Sequence, residues 1–190
     1  VWEPGKVDIV LVRENTEGLY SGIEARSGSP EAAAIIAVVQ QQLGRTISPD
    51  SAITLKTISP RGSDRIARYA FDYAQRHGRK LVTCFAKANI QKATEGLFLE
   101  RYRAITREFP SIASGDQNID AGLMWVLLRA ERFDVIVMEN AHGDISSDVI
   151  AALIGGIGLA PGANIGDDYA LFEAVHGTAP DIAGQGKANP

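Results

Sequence analysis

Val7-Asp8-Ile9-Val10-Leu11-Val12 is a short, nearly continuous apolar run. It reads as a β-strand buried on both faces. A second strand is expected at 53–58, where Ile53, Leu55 and Thr57 alternate with Thr54, Lys56 and Ile58. Ser63 then suits a helix N-cap. After it Ile66, Ala67, Ala70, Phe71 and Ala74 recur at helical spacing, up to a stop at Gly78. Further strands are expected at 81–85 and 133–138, and helices at 94–109, 120–129 and 146–154. Strands alternating with helices predict an α/β fold, a mostly parallel sheet flanked by helices. Residues 18–60 break this rhythm, with glycine, proline and serine around an alanine-rich middle. They read as an arm or an interface insertion.

Composition narrows the class. Of 190 residues, 45% are apolar and 22% charged, which suits a soluble globular chain and not a disordered tail. Nineteen basic residues against 23 acidic ones give a net charge of −4, which argues against a nucleic-acid partner. One cysteine, Cys84, forbids an intramolecular disulfide, reads as a buried strand residue, and fits a reducing cytoplasm. The longest apolar stretch, 149–160, carries three glycines and falls short of the ~20 residues that span a bilayer. The first residue is not methionine, the start leads almost at once into the strand-like run at 7–12, and the last residues, 185–190, are turn-forming and close no element, so an internal piece of a longer protein is expected.

Four segments can carry chemistry. Asn140-Ala141-His142-Gly143-Asp144-Ile145-Ser146-Ser147-Asp148 follows a strand and opens a helix. Asp144 and Asp148 are four apart, so they share a helix face if the helix begins early enough. With a third carboxylate, Asp120, they would suit Mg²⁺ or Mn²⁺; alone, they also suit a helix N-terminus. Lys87, in Phe85-Ala86-Lys87-Ala88-Asn89, stands just past a strand, where α/β folds build sites. It reads as a proton acceptor or carboxylate partner, or as a surface lysine. In Arg13-Glu14-Asn15-Thr16-Glu17-Gly18-Leu19-Tyr20, Arg13 suits a substrate carboxylate and Tyr20 a proton transfer. The same segment also suits a turn-and-capping network. The stretch from Gly155 to Gly166 is glycine-rich but lacks the dinucleotide-binding spacing. Around His176-Gly177-Thr178-Ala179-Pro180-Asp181, small residues would let a ligand approach the backbone, and Asp181 could accept ribose hydroxyls; a plain surface loop is the competing reading. His77 reads as a surface residue, His142 as structural, and Trp2 and Trp125 as packing.

Taken together and in this order, the motifs resemble the isocitrate/isopropylmalate dehydrogenase family, the metal-dependent β-decarboxylating dehydrogenases. They are Arg13 to Tyr20, Lys87-Ala88-Asn89, Asp120-Ala121, Gly143 to Asp148, and His176 to Pro180, and the resemblance covers nearly the whole chain. Asn15 and the stretch Gly155 to Gly166 look like the isocitrate branch. Ala86 departs from it, since isocitrate enzymes usually carry histidine before the lysine and homoisocitrate enzymes often carry alanine.

The resemblance implies oxidation of isocitrate by NAD and loss of its β-carboxyl group, with homoisocitrate, isopropylmalate or tartrate as alternative substrates. A non-catalytic regulatory subunit is the alternative of a different class. It implies Asp120, Asp144 and Asp148 as ligands of Mg²⁺ or Mn²⁺, and Lys87 and Tyr20 as catalytic. Arg13, Tyr20 and Lys87 would bind the substrate. Asn89, Glu173, His176, Gly177, Thr178, Ala179, Pro180, Asp181, Ile182 and Asn189 would bind the nucleotide. Asp181 and Ile182 stand where relatives that use NADP carry a lysine and a tyrosine, which points to NAD. Asp120 and Lys87 would come from the partner of a homodimer with shared sites. The implied division is a small domain at 1–17 and 60–154, a dimer arm at 18–59, and the start of a large nucleotide-binding domain at 155–190.

Overall fold

The computed structural model describes residues 6–188; Trp2 and Asn189 lie outside them. β1 (Val10–Arg13) comes first, followed by a 3-10 turn at Leu19–Ser21. β2 (Glu24–Ala25), α1 (Pro30–Leu43) and β3 (Ile53–Thr54) occupy the segment where the rhythm breaks. Then α2 (Pro60–Arg76), β4 (Leu81–Ala86), α3 (Thr94–Thr106) and β5 (Ala113–Asn118) follow. α4 (Ile119–Leu128), β6 (Val135–Met138) and α5 (Asn140–Leu153) complete the main body. β7 (Pro161–Ile165) and β8 (Ala170–Ala174) pair as an antiparallel hairpin.

The main sheet has the order β1-β6-β4-β5, and each neighbouring pair is parallel. Alternation along its strands builds two cores. Val82, Cys84 and Ala86 of β4 and Val135 and Val137 of β6 pack on Ala67, Ala70 and Phe71 of α2 and Phe98, Tyr102 and Ile105 of α3. Phe85, Ile136 and Met138 face the other way, onto Ile119 and Val126 of α4 and Ile150 of α5. Helices therefore cover both faces of the sheet, as the α/β expectation requires. The buried Tyr102 hydroxyl donates to the Val82 carbonyl at 2.7 Å, and it lies 3.1 Å from the Gly115 carbonyl on the next strand. Among the described residues no helix is long and apolar enough to cross a membrane.

Several boundaries differ from expectation. β1 lies at the sheet edge, so only Val12 is buried; the strands buried throughout or nearly so are β6 and β4. The strand expected at 53–58 pairs only at Ile53–Thr54. Ser63 is not the N-cap of α2. Ser59 is, accepting the Gly62 amide at 3.0 Å, with Pro60 in the first turn; Ser63 is buried and donates back to the Ser59 carbonyl. α3 ends at Thr106, and Phe109 stacks on Phe71 from the turn beyond. α5 begins at Asn140 and not at Ser146, because the Glu139 carboxylate accepts the Ala141 and His142 amides. α1, β5 and the β7–β8 hairpin go beyond the sequence expectation. Only Ala32 of α1 is buried, with Ile35, Ile36 and Val39 half-buried at helical spacing from it. Its signs are the Ser29 cap, Pro30, and Gly44 in the left-handed region. β5, Ala-Ser-Gly-Asp-Gln-Asn, has no apolar alternation, and its pairing comes from the backbone of β4.

Candidate active site

Parallel strands bring their carboxyl ends to one rim of the sheet. Along it stand Arg13 at the end of β1, Glu139 and Asn140 after β6, Lys87 after β4, and Asp120 after β5. The chain leaves β4 for α3 on one face and leaves β6 for α5 on the other. Adjacent strands whose connections part in this way open a crevice at their carboxyl ends, where open α/β sheets bind ligands.

On one side of that crevice four side chains converge. The Arg13 guanidinium donates to Asn140 Oδ1 at 3.0 and 2.7 Å and to Asp144 Oδ1 at 2.6 Å. The Tyr20 hydroxyl donates to the other Asp144 oxygen at 2.8 Å, and the guanidinium lies 5.5 Å from the Tyr20 ring centre. That hydrogen bond to an anion holds the Tyr20 phenol above its ordinary pKa. Gly143 permits the arrangement, since a Cβ there would sit 2.7 Å from Arg13 Cγ. The capping reading of this segment belongs to Glu14. Its buried carboxylate accepts the Thr16 and Glu17 amides and binds Arg65 at 2.7 Å.

On the other side the Lys87 ammonium donates to Asp120 Oδ2 at 2.7 Å. Lysine holds the Asp120 carboxyl below its ordinary value. Asp148 lies one turn beyond Asp144 on α5, is exposed, and forms no side-chain hydrogen bond with a described residue. Within one chain Asp120 does not gather with Asp144 and Asp148. Among the described residues, the acidic and histidine side chains that group within 4.8 Å are Glu95, Glu139 and His142. Lys56 already supplies a cation there: its ammonium bonds Glu95 and lies 3.2 Å from Glu139. His142 Nδ1 sits 3.5 and 3.3 Å from the same two carboxylates. Burial alone would raise the Glu95 pKa, but His142 and Lys56 outweigh it and hold the carboxyl below its ordinary value.

The family model described as Isocitrate/isopropylmalate dehydrogenase matches residues 2–190. The chain belongs to that family. Homoisocitrate dehydrogenase of Methanocaldococcus jannaschii is 47% identical over 184 residues, covering 97% of this chain and 47% of that protein. The 3-isopropylmalate dehydrogenase of Archaeoglobus fulgidus is 46% identical over 187 residues, covering 98% of this chain and 51% of its own length. The crystal structure of isocitrate dehydrogenase from Methylococcus capsulatus superimposes with a TM-score of 0.81 at 50% identity, covering 95% of this chain and 48% of that one. This dehydrogenase-family chain thus spans about half the length of the relatives it matches.

The residues expected to meet a nucleotide lie in two places, the turn after β4 and the segment from β8 onward. Asn89 is exposed in the turn after Lys87. Glu173 of β8 accepts from Asn164 at 2.8 Å, and Asn164 in turn accepts from Asn15 at 3.1 Å, tying the hairpin to the end of β1. His176, Gly177, Thr178, Ala179, Pro180 and Asp181 are exposed, and Ile182 is half-buried. Ala179 carries a positive φ of 41°, so the turn before Pro180 is a left-handed one on a residue other than glycine. His77 is exposed and stacks on Tyr73, and Cys84 is buried, both as expected. Sequence reasoning misses Lys56, Glu95, Glu139 and Asn140. Their burial depends on elements brought together from distant parts of the chain. Only the position of Glu139 and Asn140 between a strand and a helix points to them.

Proposed function

We propose that this chain is part of a metal-dependent dehydrogenase that oxidises isocitrate with NAD and releases its β-carboxyl group as carbon dioxide. One observation carries the reading: Arg13 and Tyr20 meet on Asp144, with Asp148 one turn further along the same helix. A divalent cation fits these two aspartates, since both are hard oxygen donors, both retain solvent access, and Asp148 has no other described partner. Asp120, held on Lys87 in its own chain, would supply the third carboxylate from a second copy, so the reading requires a two-fold homodimer. When bound, the cation would polarise the substrate hydroxyl and its neighbouring carboxylate and favour the charge that decarboxylation leaves.

The chain's own groups would do the rest. Arg13 offers a planar set of donors to a substrate carboxylate, in place of Asn140 and Asp144. Lys87 of a second copy would assist removal of the hydroxyl proton, and Tyr20, kept protonated, would return one to carbon. Asn89, Glu173, the turn from His176 to Ile182, and Asn189 would line the nucleotide. The carboxylate of Asp181 would repel a ribose 2′-phosphate and favour NAD over NADP. In this reading residues 1–17 and 60–154 form the small domain, 18–59 the dimer arm, and 155–190 the start of the large domain. Ala86 and the homoisocitrate relative favour a second reading, in which homoisocitrate replaces isocitrate.

The test is a panel on the full-length protein: isocitrate, homoisocitrate and isopropylmalate, each with NAD and NADP, before and after chelation. Turnover of isocitrate with NAD, lost to chelator and restored by Mg²⁺ or Mn²⁺, is expected. Preference for homoisocitrate would select the second reading, and turnover indifferent to chelation would end both.

A further inference from the structure

Lys87 is the first residue past β4, and its amide has no strand carbonyl to accept it. A side chain accepts it instead: Glu95 Oε2, 3.1 Å away in the first turn of α3. Glu95 is fully buried. Its other oxygen meets the Lys56 ammonium, which lies 3.2 Å from Glu139 Oε1. Glu139 is also buried, and it accepts the two amides that start α5, the helix that bears Asn140 and Asp144. One chain of contacts thus runs from the Lys87 backbone through Glu95, Lys56 and Glu139 to the helix that holds Arg13.

Stability alone does not call for such a cluster. Burying two carboxylates and an ammonium is expensive, and apolar side chains of similar volume commonly hold a fold as well. What apolar side chains cannot supply is an acceptor fixed in direction for the Lys87 amide. We propose that Glu95 is a positioning residue for Lys87, fixing the lysine loop relative to α5 through Lys56 and Glu139. The catalytic part of this inference rests on Lys87 acting as proposed above; the positional part does not.

Two variants of the full-length protein isolate the acceptor. Lys56→Met/Glu95→Gln and Lys56→Met/Glu95→Ala both remove the Lys56–Glu95 pair and both leave buried Glu139 with His142 in place of Lys56, so the two differ only at position 95. Only the glutamine keeps a carbonyl oxygen for the Lys87 amide. Amide hydrogen exchange read by mass spectrometry should be at least tenfold faster over 87–91 in the alanine double variant than in the glutamine one, with 82–85 of β4 alike in both. kcat should be at least tenfold higher in the glutamine variant, with KM within about threefold. A general loss of packing would instead raise exchange in β4 as well. Equal exchange over 87–91 overturns the positioning claim. A difference in exchange with equal kcat confines Glu95 to holding the loop and overturns its bearing on turnover. Lys87→Met is the control for the reading beneath: full turnover in that variant removes Lys87 from the chemistry, while the exchange comparison still decides what Glu95 holds.

Discussion

The two ends of the parallel sheet each carry an arginine among acidic side chains, and they use it differently. At the amino end Arg79 binds Asp8 at 2.7 Å and Asp134 at 2.9 Å, and the second Asp134 oxygen accepts the Lys80 amide at 2.6 Å. Its guanidinium also reaches the Asp8 backbone carbonyl. These contacts join the starts of three strands, and backbone groups take part in them. At the carboxyl end Arg13, Asn140, Asp144 and Tyr20 bind one another through side chains alone. A ligand can take over side-chain bonds without undoing the sheet. It cannot do the same with a pair that satisfies backbone amides. The difference separates a staple from a site.

The sharpest way to break that comparison is Gly143→Ala. The added Cβ would stand 2.7 Å from Arg13 Cγ and 2.9 Å from its Cβ, closer than real contacts allow. Arg13 must move, although alanine is the better helix residue by about 1 kcal/mol. Misplacing a binding group by this much is expected to lower kcat/KM by about 10- to 100-fold. Melting should change much less. Kinetics within twofold of the parent would mean that Arg13 is not held for binding.

The reverse pattern is expected at the other end. Arg79→Ala strips Asp8 and Asp134 of their partner, both in contact with a half-buried guanidinium. A loss of about 1–3 kcal/mol is expected by denaturant titration, with kcat per folded molecule unchanged. A large fall in kcat with stability intact would erase the distinction between the ends.

The amino-acid sequence carries some of this plainly. The layers are legible because Val135-Ile136-Val137-Met138 is apolar on both faces and Leu81 to Phe85 is so except at Thr83, a pattern that a doubly covered sheet requires. The spacing of Asp144 and Asp148 is legible too, on the condition that the helix begin early, and the Glu139 cap meets that condition. β5 is invisible because an edge strand can borrow its pairing from a neighbour. The Glu95 cluster is invisible for another reason. Lys56 and Glu95 are 39 residues apart, and nothing in a lysine or a glutamate announces burial. Arg13 stands out by its chemistry, but its grip on Asn140, 127 residues away, is tertiary information.

The smallest expected effect concerns protons, and its sign differs between the ends. Asp8, hydrogen-bonded to Arg79, has its carboxyl held below the ordinary value. Its contribution is present above about pH 3.9 and is lost as pH falls through the depressed value. The group is mostly exposed, so solvent screening keeps that contribution small. Tyr20 runs the opposite way. Its hydrogen bond to the Asp144 carboxylate raises the phenol, while Arg13 opposes that shift. The folded state then keeps a proton that an unfolded tyrosine loses near pH 10, so this contribution is full below that pH and fades as pH rises through the raised value. Ultraviolet difference titration of the parent against Tyr20→Phe should place the Tyr20 midpoint above the ordinary tyrosine value. Asp144→Asn removes the anion and leaves Arg13 in place, so the midpoint should move down. A midpoint that ignores Asp144→Asn would show that the phenol is not poised on that carboxylate, and with it would go the case for Tyr20 as the group that holds the proton.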